Sequence, residues 1–151
     1  MIFRANEITI IIPEDIICEL DRYYIGNEKE VGGILLGRFA GGIIYEVTEI
    51  ACINSLHSTR IHYQRDVKKA QNIINKRWRE TNGEINYLGE WHTHPNMFAT
   101  PSTTDMESLS AIMHKVGNVL PVVMLLILGA TNKNSLNVRK ENVNYACIFD
   151  R

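Results

Sequence analysis

The sequence predicts an α+β fold, a mixed β-sheet flanked by helices, and three observations carry that prediction. Short β-branched or apolar runs of strand length recur along the chain, bounded by glycine, proline and asparagine. Three other stretches place apolar residues three and four apart, the spacing of one helix face. Strands follow one another directly in places and are separated by helices elsewhere, which calls for both antiparallel and parallel neighbours. With 45% hydrophobic and 22% charged residues, the 151-residue chain can bury a core of its own.

The elements follow in order. Ile8 to Ile12 is a β-branched run that stops at Pro13, a first strand. Pro13-Glu14-Asp15 opens a helix, because proline is tolerated and acids are favoured in a first turn. Its inward face is Ile16, Ile17, Leu20 and Tyr23 or Tyr24, and Gly26-Asn27 ends it. Val31 to Phe39 is apolar with Gly32, Gly33 and Gly37, as in a buried strand approached closely by another backbone or a ligand. Gly41-Gly42 is a hairpin turn, and Ile43 to Ile53 returns. Asn54 to Arg65 reads as a polar loop.

Asp66 can cap a second helix through about Arg79, with Val67, Ala70, Ile73, Ile74 and Trp78 inward, before Asn82-Gly83 breaks it. Ile85 to His92 is a strand and Pro95 to Pro101 a loop. A third helix from about Thr104 to Val116 turns Met106, Leu109, Ile112, Met113 and Val116 inward. Pro121 to Leu128 is a central strand, Asn132-Lys133-Asn134 a turn, and Leu136 to Arg139 and Tyr145 to Phe149 are the last two strands. No repeat, low-complexity segment or linker divides the chain, so residues 1–151 are expected to form a single domain.

Bulk properties exclude some functions. A net charge of -1 without a basic stripe gives no footprint for nucleic acid, so no nucleic-acid partner is expected. The apolar run from Val119 to Leu128 is far short of the ~20 residues that span a bilayer, so no membrane span is expected. MIFRANEITI lacks a basic region followed by an apolar stretch, so no signal peptide is expected and the cytoplasm is the expected location. Cys18, Cys52 and Cys147 are an odd number with no CxxC, and read as reduced core cysteines.

The chemistry concentrates in three segments. Strand residues two apart share a face, so His92 and His94 project side by side, near enough for both to reach one ion at ~2.0–2.1 Å. Pro95 ends the strand and leaves the pair at a sheet margin. A lone HxH is also a common accident of composition. His57, His62 and His114 have no such company and read as surface or packing histidines.

Ser102-Thr103-Thr104-Asp105 has a plain structural reading as a helix cap, Ser102 with Asp105 or Thr104 with Glu107. It has a functional one too. The loop between the prolines can fold back and bring Asp105 to the histidines as a third ligand, while Thr104 caps the helix. Two histidines and a carboxylate leave the fourth tetrahedral position for water, the catalytic arrangement of zinc. Glu30 stands where a polar loop enters the glycine-containing strand. It reads either as a solvated strand-entry charge or as the base that a hydrolytic zinc site needs.

Together these segments resemble the JAMM (MPN+) metalloprotease family. Its ExxGxLxG strand stands here as Glu30-Val31-Gly32-Gly33-Ile34-Leu35-Leu36-Gly37. Its HxHP stands as His92-Thr93-His94-Pro95, and seven residues on its SxxD stands as Ser102-Thr103-Thr104-Asp105. No motif position departs from the pattern, and the build is most like the stand-alone prokaryotic JAB-domain members. The resemblance implies an MPN-like (cytidine-deaminase-like) fold and one catalytic Zn²⁺ with a bound water, held by His92, His94 and Asp105. It implies Glu30 as acid/base and Ser102 as donor to the developing oxyanion. It also implies a substrate: the tail of a ubiquitin or ubiquitin-like protein joined by an amide to a lysine or main-chain amine. Such a tail would lie extended along a strand edge. Activating- or conjugating-enzyme-like proteins are the implied pathway partners, and antiviral defence a setting. The alternative of another class is a catalytically silent scaffold of the same fold.

Overall fold

The computed structural model describes residues 1–53 and 66–150. The strands are β1 (Ile2–Ala5), β2 (Ile8–Ile11), β3 (Gly32–Ala40), β4 (Ile44–Cys52), β5 (Asn86–Thr93), β6 (Val123–Leu128), β7 (Lys133–Lys140) and β8 (Val143–Asp150). The helices are α1 (Glu14–Ile25), α2 (Val67–Glu80) and α3 (Thr103–Val116). All the strands join one mixed sheet in the order β1-β2-β4-β3-β5-β6-β7-β8. β2 with β4 and β5 with β6 are parallel, and every other neighbouring pair is antiparallel. The α+β architecture is the expected one.

The sheet is covered on both faces. On one, Ile16 and Leu20 of α1 pack with Ile10, Trp91, Leu126 and Leu136. On the other, Ala70 of α2 and Leu109 and Met113 of α3 pack with Ile34, Tyr87, Leu125 and Ile127. A strand buried on both faces is apolar without alternation, which explains the wholly buried Val123–Leu128 run of β6.

Several expectations shift. β1 was not anticipated; it is a four-residue edge strand that pairs with β2 through a turn in which Asn6 adopts φ 53°. The central strand begins at Val123, two residues after Pro121, and Val119 before it is exposed. The turn expected at Asn132-Lys133-Asn134 lies earlier, because Lys133 already opens β7. Val67 and Trp78 are exposed on α2, whose buried residue is Ala70. The cysteines are free, but Cys18 is exposed and the other two are half-buried, so none belongs to the core proper. The loop expected over Asn54 to Arg65, with His57 and His62, lies outside the described residues. His114 is exposed in the last turn of α3.

Close backbone approach demands glycine at several positions, Gly33 and Gly89 among them. A Cβ on Gly33 would stand 1.7 Å from the Ala51 carbonyl oxygen of β4, and one on Gly89 would stand 2.1 Å from that of Met124 in β6. The space at Gly33 is therefore filled by the sheet's own backbone rather than by a ligand.

Candidate metal centre

The site lies at the end of β5, on the α2/α3 face. It owes that face to a break in alternation. Leu35 pairs with Gly89 and Leu36 with Tyr87, so Leu88 is an extra residue in β5. Leu88 and Trp91 accordingly face α1, whereas Tyr87 faces α2 and α3 with Glu90, His92 and His94 beyond it. Beyond Thr93 the chain still follows the sheet, since His94 N–H donates to the Leu128 carbonyl at 2.8 Å.

His92, His94 and Asp105 converge. Nε2 of His92 lies 3.1 Å from Nε2 of His94. Asp105 Oδ1 is 3.3 Å from His92 Nε2, and Oδ2 is 3.5 Å from His94 Nε2. Tetrahedral donors at 2.0–2.1 Å from a zinc ion stand about 3.3 Å apart, close to these separations, so the three side chains are near enough to share one ion. The tautomer fits as well. His94 Nδ1–H donates to the Phe98 carbonyl at 3.0 Å; a carbonyl only accepts, so neutral His94 presents a bare Nε2.

Asp105 is held by the helix it begins. Ser102 Oγ accepts from Asp105 N–H at 3.1 Å, and Asp105 Oδ2 accepts from Ser102 N–H at 2.6 Å, a complete capping box. Capping and convergence on the histidines thus belong to the same carboxylate. Of the two expected caps, Ser102 with Asp105 is the one that forms; Thr104, expected to cap while Asp105 served the ion, lies inside α3, which begins at Thr103. The Ser102 hydroxyl accepts that bond, which leaves its O–H as a donor at the cavity wall.

Glu30 is no solvated strand-entry charge. It is 3% exposed, with Oε1 3.8 Å from His94 Nε2. Burial raises its pKa to about 7, opposed by nearby His94 and reinforced by Asp105. Asp105 goes the other way: burial would raise it, but hydrogen bonds from His92, His94 and the Ser102 backbone hold it far below the usual carboxylate range. Burial works against protonation of His94, and the partnership with Asp105 outweighs it, so its pKa is raised.

These groups line a cavity of about 830 Å³ whose other wall includes Val67, Met97, Phe98, Leu109 and Ile112. Glu90 also lines it, accepting from the Tyr87 hydroxyl at 2.6 Å. Sequence reasoning missed Glu90. Its signal was its spacing, two before His92, in a strand where two-apart residues share a face.

A family model described as prokaryotic homologs of the JAB domain matches residues 25–140. A CD-NTase/cGAS isopeptidase of Escherichia coli strain TW11681 is 29% identical to the chain, covering 89% of each. A probable metalloprotease, y4qB, of Sinorhizobium fredii strain NBRC 101917 / NGR234 is 29% identical over 70% of the chain and 67% of its own length. The solution structure of protein DSY2949 from Desulfitobacterium hafniense superposes with a TM-score of 0.66 over 91% of the chain and 89% of its own, at 21% identity. Among the described residues, no helix is long and apolar enough to cross a membrane.

Proposed function

The chain belongs to the family of prokaryotic homologs of the JAB domain, and from that premise we propose that it is a zinc-dependent isopeptidase. Its substrate on this reading is the amide that follows the C-terminal tail of a ubiquitin-like protein. Relatives named isopeptidase and metalloprotease support a hydrolase. The single observation that carries the proposal is the convergence of His92 Nε2, His94 Nε2 and Asp105 at tetrahedral ligand separations beside a buried Glu30.

The residues divide the work. His92, His94 and Asp105 would hold the ion, and a bound Zn²⁺ supplies a water of lowered pKa, toward ~7, and a polarised substrate carbonyl. Glu30 takes the proton of the attacking water and delivers it to the leaving amine. Burial raises its pKa to about 7 in the metal-free protein, and a cation held at the histidines would lower it, which favours the carboxylate form that accepts the proton. The Ser102 O–H donates to the oxyanion that develops on the carbonyl.

The names of relatives support a conjugate in a CD-NTase/cGAS setting as the substrate and the proteins that make that conjugate as partners. The test is a purified protein assayed for bound metal and for cleavage of a ubiquitin-like protein fused through an amide to a lysine side chain or a main-chain amine. Metal at one per chain with cleavage after the tail, abolished in Glu30→Gln, is the expected result. Stoichiometric zinc with no cleavage of either linkage would leave a silent binding module.

A further inference from the structure

Thr93, between the two histidines, faces away from them. It is fully buried, and no atom of it lines the metal cavity. Its N–H and hydroxyl are instead spent on Val31, the residue just before β3. Thr93 N–H donates to the Val31 carbonyl at 2.8 Å, and Val31 N–H donates to Thr93 Oγ at 3.1 Å. β3 and β5 pair in antiparallel register up to Gly32 opposite His92, which makes Val31 and Thr93 the next opposed pair. In a continued ladder Val31 N–H would go to the Thr93 carbonyl. The hydroxyl takes that bond, and β3 begins only at Gly32.

Val31 is the residue that follows Glu30. Both of its backbone polar groups are therefore tied to the strand that carries His92 and His94, one of them through a side chain. We propose that Thr93 is a positioning residue for Glu30: its hydroxyl locks the backbone beside Glu30 to the ligand-bearing strand and so fixes the distance between the carboxylate and the metal centre. Without it, Val31 keeps only its carbonyl bond to the Thr93 N–H on that strand. The partly buried Val31 N–H is also left unpaired, which the segment relieves by moving. Proton transfer depends steeply on such geometry, and a misplacement of about 1 Å can cost on the order of 100-fold in rate. The inference rests on the isopeptidase reading for its catalytic consequence but not for the lock itself.

The experiment compares Thr93→Val, which keeps the shape and loses the hydroxyl, with Thr93→Ser, which keeps the hydroxyl. Val31 amide hydrogen exchange in the metal-free protein should quicken roughly ten-fold or more in Thr93→Val and return toward wild type in Thr93→Ser. Zinc per chain should be unchanged in both, because the ligand side chains lie on the other face. In hydrolysis of a ubiquitin-like fusion, kcat should fall about 10- to 100-fold in Thr93→Val with KM unchanged, and Thr93→Ser should recover most of it. Thr93→Ala gives the same comparison if valine does not fold.

Wild-type kcat in the variants without the hydroxyl, a fall matched by lost zinc, or a serine variant as impaired as the valine one would each overturn the proposal. A wild-type protein that cleaves no ubiquitin-like amide would sink the isopeptidase reading instead, and Val31 exchange would then decide the lock alone.

Discussion

Replacing Glu30 by glutamine should stabilise the metal-free protein while abolishing its activity. The folded state raises the Glu30 pKa from 4.5 to about 7, chiefly through burial. A group that holds its proton more tightly when folded contributes no cost below about pH 4.5. It costs progressively more as pH rises, and the cost is complete above the folded pKa. At 1.36 kcal/mol per unit, the charged carboxylate takes about 3 kcal/mol from the native state at pH 8. That figure already contains the opposing effect of nearby His94. Glutamine keeps the shape and removes the charge, so chelator-treated Glu30→Gln should unfold up to about 3 kcal/mol later than wild type at pH 8. In a chain of this size that is roughly 6–12 °C. At pH 5 the difference should shrink to under about 1 kcal/mol. Urea unfolding in the presence of chelator at the two pH values is the assay. A gain that does not depend on pH, or a glutamine variant less stable at pH 8, would refute the burial argument. Asp105, depressed in the fold, contributes in the opposite sense; both proteins share it, and it cancels to first order.

Three further outcomes are expected. His92→Ala and Asp105→Asn should each drop bound zinc well below one per chain by elemental analysis. The asparagine can still accept from Ser102 N–H, so its loss of metal should come with little loss of helix stability. Ser102→Ala should lose about 1 kcal/mol by thermal unfolding, for the missing cap. With zinc retained, it should also lose on the order of 100-fold in kcat, for the missing oxyanion donor; a change in stability alone would limit Ser102 to capping. Gly89→Ala should cost about 2–4 kcal/mol in denaturant unfolding, because its methyl meets the β6 backbone.

Much of this was readable because local chemistry and global fold agree. The helix faces at Ile16, Leu20, Leu109 and Met113 follow from periodicity alone. The paired histidines and the Ser102–Asp105 box are local patterns whose geometry backbone physics sets in advance. What was illegible depends on tertiary context. β1 is four residues long, and its turn uses Asn6 rather than glycine, so nothing punctuates it strongly. Trp78 has the spacing of a core residue yet stays half-exposed, because α2 buries only a narrow stripe around Ala70. Glu30 could be read as a surface charge or as a base, because burial of a carboxylate is invisible until the sheet closes around it. That glutamate and Asp105 come together across 75 residues of sequence only because β3 and β5 are neighbours in the sheet.

The face on which the histidines stand was also beyond the reach of a period-two reading. Unbroken alternation along β5 would put His92 on the side opposite Tyr87, against α1, while Asp105 sits at the start of a helix on the other side. The extra residue at Leu88 reverses the parity within one step and leaves the histidines facing α3. Next to the extra residue, at Gly89, the approach to Met124 leaves no room for a side chain. The glycine that opens Gly89-Glu90-Trp91-His92 is therefore part of the construction of the candidate metal centre, though it lies three residues from His92. A motif confined to ligands and base omits it, because its contribution is to decide which way the ligands point.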